Sequence, residues 1–237
     1  MINVYEAYES TLNTGLVDWA KMSFFAGLVY YSYYLFSTSQ MDLFYYVGGA
    51  TAYLLLVFML CVLNNVRNGQ NYVLPKFLSS QFIVMCLLSL ISVVPFVALL
   101  IWGGFKILSL DILTVYPGVL PICTWIVWII VTGIAFLVLM VFGKTGNPLS
   151  VLNLGVISKY SIDVLPHLLF VTIIMAIFNI LVLGMIGYLF WVFLSLDNPF
   201  FIAICSYALV INVVALGSCL AQIEYEVVPR EEKEHII

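Results

Sequence analysis

Asp163 and His167 lie four residues apart, a spacing that puts both on one face of a helix, where a carboxylate can orient an imidazole for acid–base work. The simpler reading is a helix N-cap at Asp163 and an interfacial polar group at His167. The chain contains no H-E-x-x-H, G-x-S-x-G or phosphate-loop motif, and its other histidine, His235, sits in a charged tail. The five cysteines (Cys61, Cys86, Cys123, Cys205, Cys219) fall in apolar stretches without a C-x-x-C pair. Disulfides and a zinc site are therefore not expected. The expectation is a non-enzyme with no catalytic, cofactor-binding or metal-binding residues.

The polar residues that remain form two groups. The first lies inside apolar stretches: Gln81, Ser89, Ser92, Asn179, Asn212 and Gln222. Polar groups are costly in lipid and usually turn toward the interior of a bundle. Ala208, Asn212, Ala215, Cys219 and Gln222 make one small and polar stripe, and Thr172, Ala176, Asn179, Leu183 and Gly187 make another. The two stripes can pack together, with Asn179 and Asn212 hydrogen-bonding across the contact. Gln81, Met85, Ser89 and Ser92 make a third seam, and Ser23 with Gly27 and Gly48 with Ala52 give small-xxx-small pairs. Such residues either pack helices or line a polar pathway. The second group, Asn64, Asn65, Arg67, Asn68 and Lys76, is a candidate patch for lipid headgroups or a partner, since guanidinium and amide groups suit phosphate.

The elements that must position these residues are set by composition. Of 237 residues, 64% are hydrophobic and 8% charged, too apolar for a water-soluble domain. Six stretches are free of charge, and a helix needs roughly 20 apolar residues to cross the hydrocarbon. The expected fold is all-α, a polytopic bundle of six transmembrane helices with an amphipathic N-terminal interfacial helix. The interfacial helix covers 2–19, the spans are approximately 22–41, 43–66, 77–103, 119–143, 164–195 and 199–222, and a charged tail covers 224–237. The interfacial stripe reads Tyr5, Tyr8, Leu12, Leu16 and Trp19. Pro95 could break the third span, and Pro148 opens a second interfacial helix that ends before Asp163.

Orientation follows from the bias of Lys and Arg toward short cytoplasmic loops. With the N-terminus inside, Lys21, Arg67, Lys76, Lys144, Lys159, Arg230 and Lys233 are cytoplasmic and only Lys106 is outside. Both termini are then cytoplasmic. Tyr30, Tyr31, Tyr33, Tyr34, Tyr45, Tyr46, Trp102, Trp125 and Trp191 fall near the outer boundary, as interfacial aromatics should. The net charge of −4 argues against nucleic acid as a partner. The expected partners are the lipid bilayer, in a bacterial inner membrane, and other membrane or cytoplasmic subunits.

Around the polar patch, Asp18-Trp19 before the first span, Asn65-Val66-Arg67-Asn68-Gly69, and Leu74-Pro75-Lys76-Phe77 carry a resemblance. The chain resembles uncharacterised bacterial six-helix integral membrane proteins related to the membrane domain of some glycerophosphodiester phosphodiesterases. The resemblance implies fold and location; no hydrolase domain or hydrolase residue comes with it. No Asp, Glu, Lys or Arg falls inside the expected spans, so a proton relay has no carrier. The leading expectation is a membrane scaffold or partner subunit of a larger assembly. The alternatives are a transport subunit driven by a soluble partner and an intramembrane or interfacial lipid-modifying enzyme.

Overall fold

The computed structural model describes residues 2–69, 74–76, 79–108, 154–196 and 198–227, with positions 127, 134, 135 and 138. Among the described residues all regular structure is α-helical: α1 (Val4–Leu12), α2 (Leu16–Ser37), α3 (Met41–Arg67), α4 (Ser80–Leu108), α5 (Leu154–Phe193) and α6 (Pro199–Val227). Three of these contain stretches long and apolar enough to cross a membrane, Met41–Arg67, Val164–Phe193 and Pro199–Glu226. They mark the chain as a membrane protein. Helices are the natural solution in lipid, because each satisfies its backbone N–H and C=O groups within itself. The expected span 119–143 lies outside the described residues apart from the isolated positions, as does the tail beyond 227.

Helix boundaries depart from the charge-free stretches where caps decide them. The expected interfacial helix 2–19 is two pieces. Asn3 caps α1 by accepting from the Glu6 N–H at 3.1 Å, α1 stops at Leu12, and Gly15 stands at the N-cap of α2. Thus α2 begins ahead of the charge-free stretch and takes in Asp18 and Lys21, which neutralise each other at 2.6 Å. A turn with Ser39 in the left-handed region (φ 59°) joins α2 to α3. Gly69, at φ 61°, ends α3 by donating its N–H to the Val66 carbonyl. Only glycine enters that conformation without a Cβ penalty. Asn198 caps α6 through the Phe200 N–H at 2.9 Å, with Pro199 in the first helical position.

Two expected breaks are absent. Helix α4 runs through Pro95, and α5 runs from Leu154 through Pro166. Asp163 is therefore interior to α5 and not its N-cap, and no separate interfacial helix ends before it. A proline forfeits one backbone hydrogen bond, which a long helix in an apolar setting can absorb without ending. At the other end, α6 continues to Val227, so the tail expected from 224 begins inside a helix.

The described chain forms two compact units, Met1–Phe82 with Phe170–Ile237, and Ile83–Leu169. In the second, Met85, Ser89 and Val93 are buried at helical steps along α4; the side chains of Gln81 and Ser92 lie outside the described residues. The first unit is built around α6. Its core joins Met22, Phe25 and Ala26 of α2, Leu55, Phe58 and Val62 of α3, and Val210 and Val214 of α6, closed by Leu74. Phe25 and Phe58 meet with ring centroids 4.5 Å apart. Lipid tails are as apolar as these side chains, so the contact gains from close packing and not from escaping water. Each good atom pair contributes only about 0.1–0.2 kcal/mol, which makes fit decisive.

Fit is tightest at Gly217. A Cβ there would lie 2.9 Å from the Met59 carbonyl oxygen and 3.2 Å from Val62, so α3 and α6 meet backbone to backbone. Among the described residues, the glycines of the expected small-xxx-small pairs make no such approach. Nothing lies within 4 Å of a Cβ on Gly27, and a Cβ on Gly48 first meets Phe44 of its own helix.

Candidate functional site

The polar residues of the first unit converge where α1, α5 and α6 meet. Asn179 and Asn212 form a reciprocal amide pair: Asn179 Nδ2 donates to Asn212 Oδ1 at 2.9 Å, and Asn212 Nδ2 donates to Asn179 Oδ1 at 2.7 Å. Each also donates to the carbonyl one turn before it on its own helix, Asn179 to Met175 and Asn212 to Ala208, both at 2.7 Å. These carbonyls already serve the helix ladder, so the extra bonds fix the side-chain rotamers.

The third member is Tyr8. Its hydroxyl donates to Asn212 Oδ1, and its ring packs on Phe178 with centroids 4.8 Å apart. Burial pushes its phenol above the usual tyrosine range. An asparagine side chain offers two N–H donors and two acceptor lone pairs. Asn212 spends all of them on Tyr8, Asn179 and Ala208.

Gln222 supplies a second tie to α1, accepting the Asn3 N–H through Oε1 at 2.8 Å. The two anchors on α6, 222 and 212, are about 15 Å apart along a helix, and the α1 positions they hold, Asn3 and Tyr8, run in the opposite direction. The face of α1 turned inward is Val4, Ala7, Tyr8 and Thr11, whereas Tyr5, Leu12 and Leu16 of the expected stripe are exposed. Ala7 and Thr11 are the small members of the inward face, Tyr8 carries its hydroxyl to the amide pair, and Tyr5 and Leu12 turn outward.

The candidate headgroup patch folds partly onto itself. Asn64 Oδ1 accepts from Arg67 at 3.2 Å and from Asn68 at 3.3 Å. Asn65 is buried and Lys76 exposed. Arg67 also faces the buried Glu224 of α6 at 3.7 Å, a pairing of helix ends that sequence spacing does not reveal. Ser89 donates to the Cys86 carbonyl at 3.2 Å on its own helix.

His167 is exposed on α5, and the Asp163 side chain lies outside the described residues. Among the described residues no group of three or more His, Cys, Asp or Glu side chains could hold a metal ion, and Cys61, Cys86, Cys205 and Cys219 form no disulfide. No protein-family model, curated protein or solved structure matches the chain.

Proposed function

We propose that this chain is a six-span integral membrane protein of the bacterial inner membrane that acts, without catalysis, as a scaffold or partner subunit of a larger assembly. In this reading the segments before α2 and after α6 are cytoplasmic, following the Lys and Arg distribution, and the patch at Asn64–Asn68 with Lys76 faces the same side. The resemblance to the bacterial six-helix group fits the same fold and location.

The observation that carries the proposal is the saturation of Asn212. A translocation path needs polar groups with bonding capacity to lend a passing solute. Here that capacity knits α1, α5 and α6 together, which is what a load-sharing membrane component requires. The transport and lipid-modifying readings have no comparable observation behind them.

The test is affinity purification of the full chain from its native membrane in mild detergent, with quantitative mass spectrometry. A membrane or cytoplasmic protein recovered at a fixed ratio, and lost when Asn212→Leu loosens the bundle, is the expected result. A homogeneous species with no fixed-ratio partner would sink the subunit reading.

A further inference from the structure

Beside the polar cluster, α1 and α5 enclose a groove of about 440 Å³, within the range of small-molecule sites, roughly 300–1,000 Å³. Its walls are apolar: Tyr5 and Leu12 from α1, and Ile174 and Phe178 from α5. Its polar lining comes from Glu9 and Asn13, four residues apart and therefore on one side of α1.

These two side chains differ from the paired polar groups of the unit. Asp18 is neutralised by Lys21 and Glu224 faces Arg67, while Tyr8, Asn179 and Asn212 are bonded to one another. Among the described residues the Glu9 carboxylate and the Asn13 carboxamide make no side-chain hydrogen bond or ion pair, and both are exposed. A free carboxylate at the mouth of an apolar groove suits a ligand with a cation at one end and hydrocarbon at the other. The hydrocarbon has a continuation, because Ile180 and Leu181 are exposed along α5 beyond Phe178.

We infer that this groove seats one phospholipid with a primary-ammonium headgroup, the ammonium on Glu9 and an acyl chain against Ile174 and Phe178. Asn13 donates its amide N–H to a phosphate or ester oxygen. An anionic headgroup without the ammonium meets only the Glu9 charge, so the site prefers ethanolamine lipids to glycerol lipids. The inference rests on the membrane reading but not on the scaffold role.

The test uses the full chain purified in detergent and titrated in native mass spectrometry with phosphatidylethanolamine and phosphatidylglycerol of identical acyl chains. Wild type is expected to retain one phosphatidylethanolamine with about fivefold preference, the size an exposed ion pair permits. Glu9→Gln should bring the two lipids level, with thermal unfolding unchanged because the carboxylate holds nothing in the fold. Leu12→Ala should weaken both lipids equally and leave their ratio intact. Equal retention by wild type, or a preference that survives Glu9→Gln, overturns the site. A chain recovered soluble without detergent would remove the membrane premise itself, and neither result depends on finding a partner subunit.

Discussion

Helix α6 meets two neighbours in opposite ways. Toward α3 it presents Val210, Val214 and Gly217, and the backbones close until a Cβ at 217 would touch the Met59 carbonyl. Toward α5 it presents Asn212, and the contact relies on the amide pair together with Phe190 and Phe201, whose rings lie 5.3 Å apart. Over their apolar stretches, 50% of α3 is buried but only 11% of α5. Without a hydrophobic drive between helices, a membrane bundle can gain from dense packing or from polar bonds that lipid cannot replace. Here α3 is held by the first and α5 by the second. Shape is the specificity device on one side of α6, and hydrogen bonding on the other.

The comparison can be broken most severely at Gly217. Gly217→Leu should cost about 3 kcal/mol, the upper end of overpacking penalties, because the obstacle is backbone and cannot step aside. Gly27→Leu, facing open space, should change the midpoint of denaturant-induced unfolding in detergent very little. Equal costs at the two glycines would mean that α3 and α6 do not approach as described.

Asn212→Leu should come next, at about 2 kcal/mol, because Tyr8 and Asn179 each lose a partner in a dry site. Adding Asn179→Leu should recover part of that loss, since replacing both members leaves fewer unsatisfied groups. A double mutant equal to the sum of the singles would show that the amides do not act as a pair. Tyr8→Phe should be smallest, about 0.6 kcal/mol, typical of hydrogen bonds between membrane helices, and it should leave the ring contact with Phe178 in place. Amide exchange across residues 4–12 would report it as faster opening of α1; unchanged exchange would detach Tyr8 from the cluster.

Much of this was legible in advance, for reasons specific to each residue. Asn179 and Asn212 stand out because an amide in an apolar helix must find a partner, and the steps of three and four placed both on small-residue faces. Tyr8 and Gly217 were not legible. Tyr8 was read as one member of an interfacial stripe, and nothing in its spacing pairs it with Asn212. Gly217 belongs to a second stripe on α6, Val210, Val214, Gly217 and Ala221, which the polar stripe through Asn212 overshadowed. Asp163 and Pro166 carry the signals of a helix start, yet α5 begins nine residues before Asp163. Local start signals yield when the chain on both sides is already helical.

The central place of α6 has a consequence in time. Trp19 to Arg67 contributes α2 and α3 to a core whose remaining wall, Val210 and Val214, is made about 145 residues after Arg67. At translation rates of about 5–20 residues per second, the early helices wait roughly 7–29 s for their partner. They can wait safely. Their unfilled face is Met22, Phe25, Phe58 and Val62, which lipid wets readily, and the Ser23 hydroxyl occupies itself with the Trp19 carbonyl at 2.8 Å. Arrival of α6 then displaces lipid from a prepared surface, and α1 is fastened only after α6 has been synthesised.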